Sequence, residues 1–272
     1  MLNFPHFWRL LPALLLGVFA VNADATSFRV QCPNSTTLHP AVTPTTANPS
    51  GANPGIKCQQ ISGGDGFATM GDGTQTYLFA FGPLSGLADH VKGLPGTQPA
   101  SVFNTVAAPF PEVGWPNTST TFNGAIGLTP DPESVPPNQL NGHVDPRQIM
   151  DVGVLNGNIP APLMAIDEDD EFFLTLTNVG QIMRPDLFEQ HTVHFHGYPN
   201  ASAYFDGVPD ASIAINIGGS FTYYYLAPDA GTYFWHCHIT PPEHLQMGMV
   251  GQIYVRPRQN REAVGGSLYN GL

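Results

Sequence analysis

The stretch GTYFWHCHITPPEHLQMGM, Gly231 to Met249, sets a cysteine between two histidines and follows it with a further histidine and two methionines. Cys237, His244 and Met249 supply thiolate, imidazole and thioether, the soft donor set of a blue-copper electron-transfer site. Side chains alternate across a strand, so an extended stretch turns His236 and His238 to the face opposite Cys237. One strand then serves two metal centres a few covalent bonds apart, and redox chemistry is the leading expectation. A second stretch, HTVHFHG from His191 to Gly197, repeats the division. His194 and His196 share a face if the chain is extended, and His191 faces the other way. We assign His191, Cys237, His244 and axial Met249 to a mononuclear type 1 copper. The outward four, His194, His196, His236 and His238, are assigned to a separate copper cluster.

These motifs resemble those of the multicopper oxidase family, the laccases, ferroxidases and their relatives. The resemblance extends to LNGNIPAPLMAIDEDDEFFLTLTN at Leu155–Asn178, FDGVPD at Phe205–Asp210, SFTYYYLAPDAGTYFWHCH at Ser220–His238 and HLQMGMVGQIYV at His244–Val255. It covers roughly the C-terminal 110 residues. Met249 matches the family's axial position, which leaves Met247 to packing. One departure is the loop ITPPEH, which makes the Cys237-to-His244 interval two residues longer than the family's usual spacing. Asp206 sits where many family members carry an acidic residue near the cluster, and the resemblance implies a proton-relay role for it. A turn residue before Gly207 is the alternative.

The family's trinuclear cluster reduces dioxygen to water and uses eight histidines in four His-x-His pairs. This chain supplies two pairs, so a single copy cannot enclose the cluster. Self-association through an isologous contact would supply the same patch twice; a partner cupredoxin domain is the other solution. Two further classes stay open. A copper nitrite reductase-like enzyme also pairs a type 1 centre with an inter-subunit copper, although that family lacks the second histidine of His-Cys-His. A blue-copper electron carrier, or one subunit of a heteromeric oxidase, would leave the outward histidines idle or completed by a partner. The reducing substrate is open between phenolics and metal ions. Of the ten histidines, His6, His39, His90 and His143 stand outside the motifs and read as surface or satisfied core.

The rest of the chain reads as an exported β-protein. Arg9, the apolar run Leu10–Val21 and Ala23-Asp24-Ala25 form an export signal over residues 1–25. The run is shorter than the about 20 residues of a membrane span, so no stable span is expected, and the localisation is secreted or periplasmic. With Cys237 committed to copper, Cys32 and Cys58 are left to form a disulfide in an oxidising compartment, worth about 3–4 kcal/mol in the chain-entropy model. A net charge of −12 with nine basic residues excludes nucleic acid and anionic membrane surfaces as natural partners.

Helical periodicity is absent over any long stretch. Aromatic and β-branched runs predict strands at Thr76–Gly82, Leu163–Ile166, Phe172–Thr177, Thr192–His196, Phe221–Leu226, Thr232–His236 and Val250–Val255. They assemble as an all-β Greek-key sandwich of the cupredoxin type over residues 74–257. Residues 26–73, rich in Pro, Thr, Ser and Asn, read as an irregular disulfide-stapled arm. The segment at about 83–148 reads as a long loop insertion that either shapes a substrate site or decorates the surface. Residues 258–272 read as a polar tail. The acidic run Asp167–Glu171 is expected to be a solvated turn, with attraction of metal cations as the alternative. Asn34, Asn117 and Asn200 begin N-x-S/T sequons.

Overall fold

The computed structural model describes residues 31–104, 146–198 and 202–261. Its strands are β1 Ile56–Thr69, β2 Gln75–Pro83, β3 Gln98–Pro99, β4 Met164–Asp167, β5 Glu171–Gly180, β6 His194–Phe195, β7 Ser220–Leu226, β8 Gly231–His236 and β9 Val250–Arg256. Four short helices join them: α1 Leu87–His90, α2 Ala100–Phe103, α3 Pro146–Gly153 and α4 Pro241–Met247. One sheet runs β2-β1-β5-β7, with β3 pairing the start of β1, and the other runs β4-β9-β8-β6. Two pairings are parallel, β1 with β5 and β4 with β9. After β4 each successive strand up to β8 enters the opposite sheet, which gives the expected all-β sandwich of the cupredoxin type.

The two sheets close on a core that includes Phe79, Phe81, Leu174, Tyr223, Tyr225, Trp235 and Ile253, all buried. In β8 the inward Trp235 is fully buried while Phe234 is 42% exposed, the alternation that the two-centre reading of this strand requires. Ile56, Cys58, Phe103, Ile149 and Val179 form a second cluster on the outer face of the first sheet, beneath α2 and α3. The Cys32–Cys58 disulfide is formed there, with a Cα–Cα separation of 5.9 Å. No helix among the described residues is long and apolar enough to cross a membrane.

Three expectations are corrected. The arm expected over residues 26–73 is not irregular throughout: Ile56–Thr69 is a 14-residue strand at the centre of its sheet. Its sequence, IKCQQISGGDGFAT, shows no alternation because both of its faces are covered, and its glycines answer to close neighbours. A Cβ at Gly63 would lie 2.7 Å from the His191 ring, and one at Gly66 would lie 2.0 Å from the Gly157 carbonyl oxygen. The expected strand Thr192–His196 is reduced to the two residues of β6, preceded by an isolated bridge from His191 to Ile215. The long loop at 83–148 carries α1, β3, α2 and the start of α3; its residues 105–145 lie outside the described part, as do the expected export signal, His6, His143, Asn117 and Asn200.

The acidic run is a turn whose charges are engaged rather than free for a cation. Asp167 pairs with Arg256 at 2.7 Å, Asp169 with Arg258 at 3.0 Å and Asp170 with Lys57 at 3.7 Å. Glu171 departs from the solvated reading altogether. It is 2% exposed and accepts hydrogen bonds from Thr36 Oγ1, from His39 Nδ1 at 2.8 Å and from the Tyr224 hydroxyl at 2.7 Å. Burial opposes its ionisation, but these three donors hold its pKa below the ordinary carboxylate value. This carboxylate fastens the N-terminal arm to β5 and β7.

Candidate metal centre

The inward donors converge at one end of the sandwich. Cys237 follows directly on β8, and α4 carries His244 back over it. The longer loop of the sequence is taken up by this helix, which starts with Pro241 and Pro242 after Thr240 at φ 37° and stops at Gly248, φ 115°. His191, Cys237 and His244 are buried, and one donor atom from each lies within 4.8 Å of the others. His244 Nδ1 is 3.2 Å and His191 Nδ1 4.0 Å from Cys237 Sγ. Two imidazole nitrogens aimed at one thiol in a dry pocket fit a soft transition metal. Met249 is fully buried in the same core as Cys237, and its carbonyl oxygen accepts the Cys237 N–H at 3.2 Å.

The protonation states suit a cation that displaces protons. Burial brings the His191 pKa down to about 3, with His244 adding to the shift, so the ring is neutral and one of its nitrogens keeps a free lone pair. Burial also lowers the pKa of His244, against the pull of Glu189. The Cys237 thiol is pushed up to about 11 by burial, against the N–H groups of Ile239 and Thr192. The Thr192 N–H donates to Sγ at 3.3 Å, and that bond would remain for a thiolate.

The outward donors form a separate group. His194 and His236 stand directly opposite each other in the β6–β8 ladder. One donor atom from each of His194, His196 and His236 lies within 4.8 Å of the others. The Nε2 atoms of His196 and His236 are 2.8 Å apart. The other ring nitrogens are fixed by acceptors: His236 Nδ1–H donates to the Cys237 carbonyl and His194 Nδ1–H to the Asp206 carbonyl, each at 2.7 Å. That leaves Nε2 of both rings as a lone-pair donor, the tautomer a metal ligand needs. Burial brings the His236 pKa down to about 4, against its bond to the Cys237 carbonyl. His238 lies outside this close group, with its ring 5.0 Å from that of His194 and stacked at 5.6 Å on that of His236. The Asp206 carboxylate is 3.5 Å from His194 Nδ1.

Two participants escaped the sequence. His244 Nε2–H donates to Glu189 at 3.2 Å, which fixes the ring that faces Cys237. Glu189 stands two residues before His191, a same-face interval in an extended chain, and that spacing was its available signal. Gly63 makes room for the His191 ring and left no signal in the sequence. His90 is also not the satisfied side chain expected: its Nε2 is buried and makes no hydrogen bond among the described residues.

A multicopper oxidase family model matches residues 140–260, the part that carries every one of these donors. The chain carries a multicopper oxidase family domain. Over 111 residues it is 33% identical to laccase abr2 of Aspergillus fumigatus, covering 40% of this chain and 17% of that one. It is 35% identical over 109 residues to the copper-containing nitrite reductase of Rhizobium meliloti, covering 38% of this chain and 26% of that one. Among solved structures, the blue copper oxidase of Nitrosomonas europaea matches at 38% identity and TM-score 0.34, covering 39% of this chain and 32% of that one. The chain thus spans about a sixth to a quarter of the length of these two curated relatives.

Proposed function

We propose that this multicopper oxidase-type domain is an exported copper-dependent oxidoreductase that passes electrons from a small reductant to dioxygen. The observation that carries the reading is the pair of separate donor groups joined through one residue, Cys237. His191, Cys237, His244 and Met249 would hold the type 1 copper, and His194, His196, His236 and His238 would contribute to the type 2/type 3 cluster. Bound at these places, copper would supply one-electron acceptance at the first and dioxygen reduction at the second. The protein's own part is to fix the donors. Glu189 orients His244, the Thr192 N–H bonds the sulfur, and the carbonyls of Cys237 and Asp206 set the tautomers of His236 and His194. Asp206, whose carboxylate is 3.5 Å from His194 Nδ1, would pass protons to the cluster. The reductant is a phenolic compound or a metal ion.

Half of the cluster's donors come from outside this chain, either from a second copy or from a partner cupredoxin domain. The exposed edge of His196 and Phe234 supports an interface there. The test is copper per chain measured together with native mass and oxygen uptake. We expect one copper per chain at the inward site in any assembly state, and the outward copper and oxygen uptake only in an assembly. A monomer with full oxidase activity would overturn the shared cluster. The 35% identity to a nitrite reductase supports a second reading, a nitrite-reducing enzyme with one copper per interface; nitrite turnover without oxygen uptake would select it. Replacing Asp206 by Asn should slow oxygen reduction more than reduction of the type 1 centre, and equal turnover would remove Asp206 from the mechanism.

A further inference from the structure

β1 carries one acidic residue, Asp65, and it is wholly shielded from solvent. It follows Gly63 by two positions, so its side chain shares the face on which Gly63 makes room for the His191 ring. Directly across the ladder stands Phe79, whose ring meets that of His244 edge-on with centroids 5.1 Å apart. The carboxylate therefore belongs to the layer of side chains next to both inward imidazoles.

Its bonding is half complete. Oδ2 accepts the Met183 N–H at 2.7 Å, while Oδ1 is buried and has no hydrogen-bond partner among the described residues. No Lys or Arg forms an ion pair with it among those residues either. Arg184, the residue after Met183, is engaged by Asp186 at 2.7 Å on the surface. The charge of Asp65 is felt nearby: burial raises the Tyr77 pKa, and Asp65 adds to the rise. A buried carboxylate without a counter-charge is strongly destabilising, so these surroundings call for a cation.

The inward donors supply the place for one. Copper(II) held with the Cys237 thiolate carries one net positive charge, and copper(I) held the same way carries none. A fixed negative charge nearby therefore favours the oxidised form. Glu189, the other carboxylate at this site, bonds His244 directly, but its side chain is 23% exposed and solvent screens it. Asp65 acts through dry side chains, where a charge is felt more strongly.

We infer that Asp65 is the counter-charge of the inward copper and sets its reduction potential, and with it which reductants the domain accepts. Asp65 touches neither the donors' metal position nor the reductant; it acts on the donor group through space. The inference rests on the type 1 reading above and adds to it a residue that selects among reductants.

Redox equilibration of the copper-loaded full chain with ferricyanide and ferrocyanide, followed at the visible band, tests it. One electron passes from ferrocyanide to copper(II), and no proton moves. Asp65→Asn keeps an oxygen for the Met183 N–H and removes the charge. It should lower the copper(II)-to-copper(I) ratio about tenfold at a fixed mediator ratio, a rise of about 59 mV for a one-electron couple. Asp65→Ser, also neutral but smaller, should shift the ratio equally. Asp186→Asn, which removes an exposed charge, should shift it less than about twofold, and the Asp65 shifts should persist in about 0.5 M salt, which screens surface charges. In the wild type alone, with aspartate isotopically labelled and one copper per chain, the oxidised-minus-reduced infrared spectrum should carry an aspartate carboxylate band. An unmoved ratio in either Asp65 variant, a shift no larger than that of Asp186→Asn, a shift lost in salt, or no such infrared band would each overturn the inference. A wild-type chain without the visible band fails the type 1 reading and this inference with it; a wild-type band with unmoved Asp65 variants fails the inference alone.

Discussion

The inward and outward donor groups lie on opposite faces of one short strand end, yet their surroundings differ in kind. Cys237, His191, His244 and Met249 are all fully buried, and each imidazole nitrogen near the sulfur already points at it. The outward group is graded: His236 is buried, His194 half-buried and His196 exposed. A closed site with a full donor set is a property of the chain itself. An open one with donors running out to the surface is free to accept further donors from elsewhere, as the proposed function requires. The strand thus joins an enclosed donor group to an open one, a difference in burial that agrees with the proposal of a complete inward site and a shared outward one.

The largest effect that can sharpen this contrast is Cys237→Ser. Loss of the thiolate should abolish the intense visible absorption of the inward centre, while electron paramagnetic resonance still finds copper on the outward histidines. Loss of both signals together would mean that the two groups do not load independently. Next in size is Glu189→Gln. A partner that orients a ligating imidazole contributes roughly 10–100-fold to metal retention, so a chelator titration should strip the inward copper more readily and leave the outward copper as before. Equal weakening at both would deny Glu189 its link to His244.

Gly63→Ala should follow, because the added methyl meets the His191 ring at 2.7 Å. We expect a loss of about 1–3 kcal/mol in urea unfolding, the usual cost of overpacking, with weaker inward copper. Gly71→Ala, where a Cβ meets nothing within 4 Å, is the comparison; equal losses would show that Gly63 shapes nothing. The smallest effect belongs to Glu171, remote from both centres. Its folded pKa lies below the unfolded value of 4.5, so its contribution is present above pH 4.5 and is lost as the pH falls through that value toward the folded pKa. Glu171→Gln should flatten this acid limb of the unfolding midpoint. A change in copper binding at either centre would show that the arm reaches further than its contacts indicate.

Much of this was legible in the sequence because alternation is a local rule. Cys237 against His236 and His238, and His191 against His194, separate into two faces from spacing alone, and the structure keeps them apart. The strands that alternate or carry aromatic runs, β2, β5, β7, β8 and β9, were found within a few residues. β1 was missed because a strand covered on both faces and threaded between close neighbours loses both alternation and bulk; Gln59, Gln60, Ser62 and Gly63 carry the signature of a loop. Glu189 was hidden for another reason: its partner ring, His244, comes from a distant segment, and its one local signal, the two-residue interval to His191, does not name that partner.

The β6–β8 ladder has one more consequence. β6 is an edge strand held by two ladder residues, a seam with very few rungs. His194, His196 and His236 sit on the two sides of that seam, so any ion they share ties one side to the other. The ion then behaves as a rivet as well as a reagent. Drawing it out with a chelator should let this border of the sheet open first, with amide exchange accelerating at Phe195 and His196 while the Trp235 side stays shut. In mechanical terms, an ion loaded on the outward donors would finish the hem of this domain.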